Sequence, residues 1–184
     1  MILCLMALLY SCKKDKIDIP EESPFFDFLN STGIKIDTIE KAAVSWEYGF
    51  RFSPIKNGQV TKLGIKLPGV GDFKVKLYDL DTQTVLAEQI VSSLVKSEES
   101  FLSINNTNLT AGKEYGLSVV ADVFFRTTNT NLTAFSFPIK KGSLNILSFN
   151  EDNTCGTSGC GKFPVTVNLN RLAPCVNLVF NPDN

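Results

Sequence analysis

Histidine is absent from the 184-residue sequence. Its imidazole is the commonest general base in enzymes and the commonest metal ligand in proteins. The absence argues against a Ser-His-Asp or Cys-His hydrolase and against a zinc site built on histidine. Tryptophan is also scarce, with one residue against 14 phenylalanines, and this aromatic balance is typical of core packing.

The sequence also lacks an excess of charge of either sign. Lysine and arginine total 18, aspartate and glutamate total 19, and the formal net charge is −1. Nucleic-acid binders usually present a basic face, so we expect no nucleic-acid partner. With 43 % apolar and 20 % charged residues, the composition is that of a globular protein with room for one domain and a short leader.

The apolar run at the start of the chain, residues 1–10, is about half of the ~20 residues that a membrane-spanning helix needs. Its length fits a secretory signal, although no positive charge precedes it, so the start codon is predicted to lie upstream. The run leads into "LYSC" (residues 9–12), which resembles the lipobox of bacterial lipoproteins. This resemblance implies that residues 1–11 are a signal peptide and that Cys12 is acylated and anchored in a membrane. An ordinary signal peptide or a core segment is the alternative.

The charged stretch "CKKDK" that follows resembles the start of Bacteroidetes lipoproteins. This resemblance implies an outer-membrane protein exposed at the cell surface, with the periplasmic face as the alternative. Prolines and charges in residues 12–44 predict a tether, of which the apolar part "PFFDFLNSTG" packs on the domain. The triplet "DTI" resembles a short O-glycosylation motif of these bacteria and implies a sugar on Thr38, whereas an unmodified threonine is the alternative.

From Val44 onward the sequence alternates between apolar and polar residues. In "VSWEYGFRFS" the side chains of Trp46, Tyr48, Phe50 and Phe52 fall on one face, which predicts a strand with that face buried. About ten such segments, separated by turn residues such as those of "KNGQ", predict a single all-β domain over residues 45–184. We expect an antiparallel β-sandwich with a jelly-roll-like arrangement.

Two longer stretches resemble a bacterial β-sandwich family known only as a domain of unknown function. They are "WEYGFRFSPIKNGQVTKLGIKLP" and "LTAGKEYGLSVVAD", the second of which carries the family's step into a long strand at Leu109, Thr110, Gly112 and Tyr115. The family occurs beside carbohydrate-active and cell-surface modules. The resemblance therefore implies glycan binding or adhesion by association, and it supplies no catalytic residues.

Cysteines and turn carboxylates are the candidate residues for a disulfide or a metal site. "CGTSGC" predicts a disulfide between Cys155 and Cys160 in an oxidising compartment, with free thiols or a pairing with Cys175 as alternatives. No fourth thiolate or histidine completes a zinc set, so neither a metal nor a cofactor is expected. Five turn carboxylates are predicted to be solvated rather than to form a calcium loop: Asp72, Asp79, Asp81, Glu151 and Asp152.

The candidate ligand-binding edge consists of Tyr78, Phe124, Phe125 and Arg126. By alternation Tyr78 points outward, and a strand through the adjacent Phe124 and Phe125 exposes one of the two rings. Arg126 and the polar loop after it complete this rim. The alternative is that these are ordinary surface aromatics, which soluble proteins commonly carry.

The sequence therefore predicts a non-catalytic, lipid-anchored surface module that binds glycan or another surface protein. A structural subunit, resembling the sandwich pilins of the same bacteria, is the alternative from a different class. An enzyme is the third and least favoured reading, because no catalytic residues can be named.

Overall fold

A computed structural model describes residues 20–184. The predicted signal peptide, the lipidation site Cys12 and the first residues of the predicted tether lie outside the described residues. Within residues 20–184 no helix is long and apolar enough to cross a membrane.

The described chain consists of ten strands, one short α-helix and a 3-10 turn at Gly156–Ser158. The helix and the strands have these bounds: α1 Pro24–Leu29, β1 Ile34–Pro54, β2 Gly58–Lys66, β3 Gly71–Asp79, β4 Thr84–Ser93, β5 Glu99–Leu109, β6 Tyr115–Asn129, β7 Ile139–Lys141, β8 Leu144–Asp152, β9 Thr166–Val167 and β10 Val176–Pro182.

The strands form two antiparallel sheets. The larger has the order β4-β3-β6-β1-β8-β7, with β9 paired to β8, and the smaller has the order β10-β2-β5. The all-β sandwich predicted from the alternating pattern is thereby confirmed. Its longest ladder joins β1 to β6 and runs, with two register shifts, from Ile34 opposite Asn129 to Phe52 opposite Tyr115.

The core lies between the sheets and is rich in aromatic rings. Tyr48, Phe50 and Phe52 of β1 point into it, as their alternation predicts, and meet Leu63 and Ile65 of the smaller sheet. Trp46, at the end of this row, is only half-buried and packs against the rim of the core. Burial of these side chains away from water is the main term that holds the sheets together.

The folded domain begins before residue 24, not at residue 45. Helix α1 inserts Phe25 and Phe28 into the core, which confirms that the apolar part of the predicted tether packs on the domain. Strand β1 starts at Ile34, ten residues before the predicted strand. Register shifts after Ile36 and Lys41 break the period of two, and most side chains there stay exposed, so alternation did not reveal this half of the strand.

The segment before α1 is also fixed to the domain. Glu22 forms an isolated bridge with Phe180 of β10, with backbone hydrogen bonds of 2.9 Å in both directions. The Glu22 carboxylate accepts hydrogen bonds from the backbone N–H of Ser143 at 2.7 Å and from its hydroxyl at 2.8 Å. The described chain is therefore held to the sandwich from residue 22 onward.

Two of the alternating segments that predict strands, residues 134–139 and 163–168, are mostly not strands in the structure. The first contributes only Ile139, the first residue of β7, and the second contributes only the two residues of β9. Each contains a proline, Pro138 or Pro164, which has no backbone N–H to donate to a ladder. Both segments run mainly as loops.

We expect Phe25→Ala to lower the free energy of unfolding by about 3–5 kcal/mol, because the ring is fully buried and a cavity would remain. The Phe25 ring stacks on that of Phe50 at 4.9 Å between centroids. Ile39→Ala is the control, since Ile39 is 65 % exposed and its loss should change stability by less than about 0.5 kcal/mol. Urea unfolding measures both. Equal, small effects would show that α1 is not part of the cooperative domain.

Candidate functional site

The four residues predicted as a ligand-binding edge are all buried, so that part of the prediction is wrong. Tyr78 is 0 % exposed, although alternation correctly directs it away from the core between the sheets. The reason is that the segment between β8 and β9 crosses the outer face of the larger sheet. Phe163 of that segment packs edge-on against the Tyr78 ring, with 5.7 Å between centroids.

Phe124, Phe125 and Arg126 of β6 are buried by other neighbours. Both phenylalanines belong to the core cluster. The Arg126 guanidinium lies 4.7 Å above the Phe124 ring and forms ion pairs with Glu151 at 2.7 Å and Glu40 at 3.2 Å. Burial alone would lower the pKa of Arg126, but these carboxylates outweigh it and raise that pKa. Arg126 is therefore a paired cation that joins β1, β6 and β8.

Beneath the covering segment lies a buried polar cluster centred on Glu47. This residue of β1 is 1 % exposed, although alternation places it on the outer face. Its carboxylate accepts hydrogen bonds from the hydroxyls of Tyr78 and Ser118, each at 2.6 Å, and from the Lys76 ammonium at 3.1 Å. The backbone N–H of Cys160 donates a fourth. A buried carboxylate is tolerated only when it is paired and hydrogen-bonded in this way.

The covering segment carries the disulfide predicted from "CGTSGC". Cys155 and Cys160 are bonded to each other. The Cys160 carbonyl accepts hydrogen bonds from Lys76 at 2.8 Å and from Tyr78 at 3.3 Å, so the same two side chains bind both Glu47 and the loop. Burial and the Glu47 carboxylate raise the pKa of Tyr78 far above its usual value, which keeps its hydroxyl protonated as a donor.

Gly159 allows the disulfide loop to lie close to the polar cluster around Glu47. Its φ of +73° lies in the left-handed region that favours glycine. A Cβ there would stand 2.6 Å from a Glu47 carboxylate oxygen and 2.7 Å from the Lys76 nitrogen. The polar cluster has no room for substrate between the strands and this loop, and we interpret it as the attachment that holds the loop to the sheet.

The described cysteines and Asp152 near the disulfide do not form a metal site. Asp152 and the two disulfide sulfurs have ligand atoms within 4.8 Å of one another, but sulfur must be a thiolate to bind zinc, and these sulfurs are bonded together. Cys175 is a buried free thiol, so the alternative pairing with it is wrong. Burial raises the pKa of Cys175 to about 12.

Two of the five turn carboxylates predicted to be solvated are buried instead. Glu151 binds Arg126, and Asp79 forms an ion pair with Lys113 at 2.7 Å. The Lys113 hydrogen bond lowers the pKa of Asp79, with help from the backbone N–H groups of Asp81 and Thr82. Asp79 stabilises the turn after β3, and Glu151 joins β8 to Arg126 of β6, so neither belongs to an open cation site.

A cavity of about 480 Å³ opens beside the end of β6. Its lining includes the turn between α1 and β1 and the polar loop after β6, which the sequence had placed at the rim of a binding edge. The backbone N–H of Thr130 donates to the Gly33 carbonyl at 2.9 Å, and that of Phe135 donates to the Leu169 carbonyl at 2.7 Å. These bonds fix the loop against the sandwich.

The cavity has both apolar and polar lining residues. Phe28 and Phe135 provide aromatic rings, and several other lining residues carry hydroxyl or amide groups. Among residues 20–184 no carboxylate lines it, whereas glycoside hydrolysis commonly uses two. Its lining residues are Phe28, Ser31, Thr32, Gly33, Ile34, Asn129, Thr130, Asn131, Phe135, Ser136, Ile139 and Lys141.

Thr38, the predicted O-glycosylation site, lies on the exposed half of β1 rather than in a tether. Its hydroxyl donates to the Asp37 carboxylate at 3.1 Å and accepts a hydrogen bond from Arg171 at 2.8 Å. Modification of Thr38 stays a prediction.

No family model matches the chain, and no curated protein matches it. The resemblances to bacterial lipoproteins and to a sandwich family of unknown function therefore stay predictions.

We expect Glu47→Gln to lower the free energy of unfolding at pH 7 by about 3–5 kcal/mol, because it leaves the Lys76 ammonium buried without an anion. Glu114→Gln is the matched control. Glu114 pairs with Arg51 at the surface, where such pairs contribute about 0–1 kcal/mol. Denaturant unfolding compares the two variants, and an equal loss would contradict the structural role given to the cluster.

Proposed function

We propose that the protein is a non-catalytic surface module that binds glycan in the cavity beside the end of β6. The observation that carries this proposal is the lining of that cavity by residues 20–184, which supply hydroxyls, amides and two rings but no carboxylate. Small-ligand sites typically combine an apolar surface with a few fixed polar groups, and their volumes run from about 300 to 1,000 Å³.

Sugars fit this lining better than apolar ligands do. Each sugar ring carries several hydroxyls that both donate and accept hydrogen bonds, as do the amides of Asn129 and Asn131 and the hydroxyls of Thr130 and Ser136. Much of the cavity lining comes from the segments that connect α1 to β1 and β6 to β7, and binding residues commonly occur on such segments of a rigid scaffold. The backbone hydrogen bonds of Thr130 and Phe135 support such a preformed site.

Lipid attachment at Cys12 would hold this module close to the membrane. Glu22 is fixed to the sandwich, and a chain of ten residues spans at most about 35 Å when fully extended. In this proposal the protein acts at the surface of the outer membrane and presents the cavity to extracellular glycans.

An assembly subunit, resembling sandwich pilins, is the second candidate. Strand β4 favours it, since this edge strand of the larger sheet is ten residues long and exposes Val85, Leu86 and Ile90. Exposed, long and apolar edges accept an added strand. Filament formation by the purified protein would support this assembly function.

The proposal is tested with the soluble chain beginning at Lys13 on a glycan array. We expect binding to a subset of glycans, and a loss of at least about tenfold in affinity for Ser136→Trp, because a large ring at this exposed lining position fills the cavity. Ser103→Trp, an exposed serine outside the cavity, is the matched control and should bind normally. No binding to any glycan, together with filaments in electron micrographs, would overturn the proposal in favour of assembly.

A further inference from the structure

In residues 20–184, almost every lysine that is not fully exposed forms an ion pair with a carboxylate. Six lysines in residues 20–184 are buried or half-buried. Five of them have a carboxylate oxygen within 4.0 Å, and Lys141 is the exception in the described part of the chain. The five pairs are Lys62–Glu21, Lys66–Glu99, Lys74–Glu88, Lys76–Glu47 and Lys113–Asp79.

Lys141 lines the cavity and is the only charged lining residue in the described part of the chain. Its ammonium donates a hydrogen bond to the hydroxyl of Ser31, another lining residue. That hydroxyl in turn donates to the backbone carbonyl of Asp27 in α1, at 2.7 Å. The ammonium is thus held at the cavity wall by a neutral partner, and no described carboxylate forms an ion pair with it.

A half-buried ammonium that forms no ion pair within the described chain favours a ligand that carries a negative charge. Hydrogen bonds between ions are shorter and about twice as strong as those between neutral groups, and partial exclusion of water strengthens the attraction further. No carboxylate of the described residues lines the cavity to repel an anion.

We propose that the ligand is an acidic sugar, whose carboxylate binds Lys141 while its hydroxyls bind the neighbouring amides and hydroxyls of the cavity lining. This inference rests on the proposed function and adds the chemical class of the glycan. Asn129, Thr130 and Asn131 supply those groups in the same cavity. An acidic peptide would use the same cation but has few hydroxyls to satisfy the rest of the lining.

The test compares charged sugars with neutral forms of the same sugars. The probes are oligosaccharides ending in glucuronic, galacturonic or sialic acid, each measured by calorimetry beside its methyl ester. The native chain should bind at least one acid about tenfold more tightly than its ester, as expected for one charge-assisted hydrogen bond. Lys141→Gln should remove that preference, and higher salt should weaken it.

Lys140→Gln is the matched control. It makes the same change in net charge at the neighbouring residue of β7, which is exposed and does not line the cavity. It should keep the preference for the acid, and both variants should keep the unfolding temperature of the native chain.

Each other outcome overturns the inference in a distinguishable way. If acids and esters bind equally and Lys141→Gln changes nothing, the acidic class is wrong while glycan binding stands. If the two lysine variants weaken binding equally, the attraction is unspecific surface charge and the proposed site is wrong. If no sugar binds and an acidic peptide does, both the acidic-sugar inference and the proposed function fail.

Discussion

The carboxylate of Glu47 is the constraint on which the outer face of the larger sheet depends. A charge removed from water costs several kcal/mol unless opposite charge and hydrogen bonds compensate it. Lys76 from β3, Ser118 from β6 and the Cys160 N–H from the disulfide loop supply that compensation together with Tyr78. One side chain thus joins three central strands to the segment that covers them.

This covering closes the centre of the outer face of the larger sheet to a ligand. The loop and Phe163 lie over it, so Tyr78 cannot serve as a stacking platform for a sugar. The proposed glycan site lies elsewhere. The loop that follows β6 after Asn129 bounds a cavity in which Lys141 is the single charged lining residue among residues 20–184.

Period-two alternation predicted the sandwich and the inward side chains Tyr48, Phe50 and Phe52 correctly, because burial between two sheets repeats along every strand. The same pattern indicates only which face of the sheet a residue occupies, not what covers that face. It therefore placed Glu47 and Tyr78 on the outer face but did not reveal that a loop buries them there. The first half of β1 was missed because its bulges interrupt the alternation. Lys141 could not be singled out, since the absence of an ion pair is visible only once the chain has folded.

Amide hydrogen exchange at Cys160, measured by NMR on the native protein, tests the central claim most directly. If the Glu47 carboxylate holds the disulfide loop on the sheet, the Cys160 N–H is sealed from water and exchanges as slowly as amides in the central strands. Exchange at the rate of an unstructured peptide would contradict this account, because the loop would then be open and the polar cluster exposed.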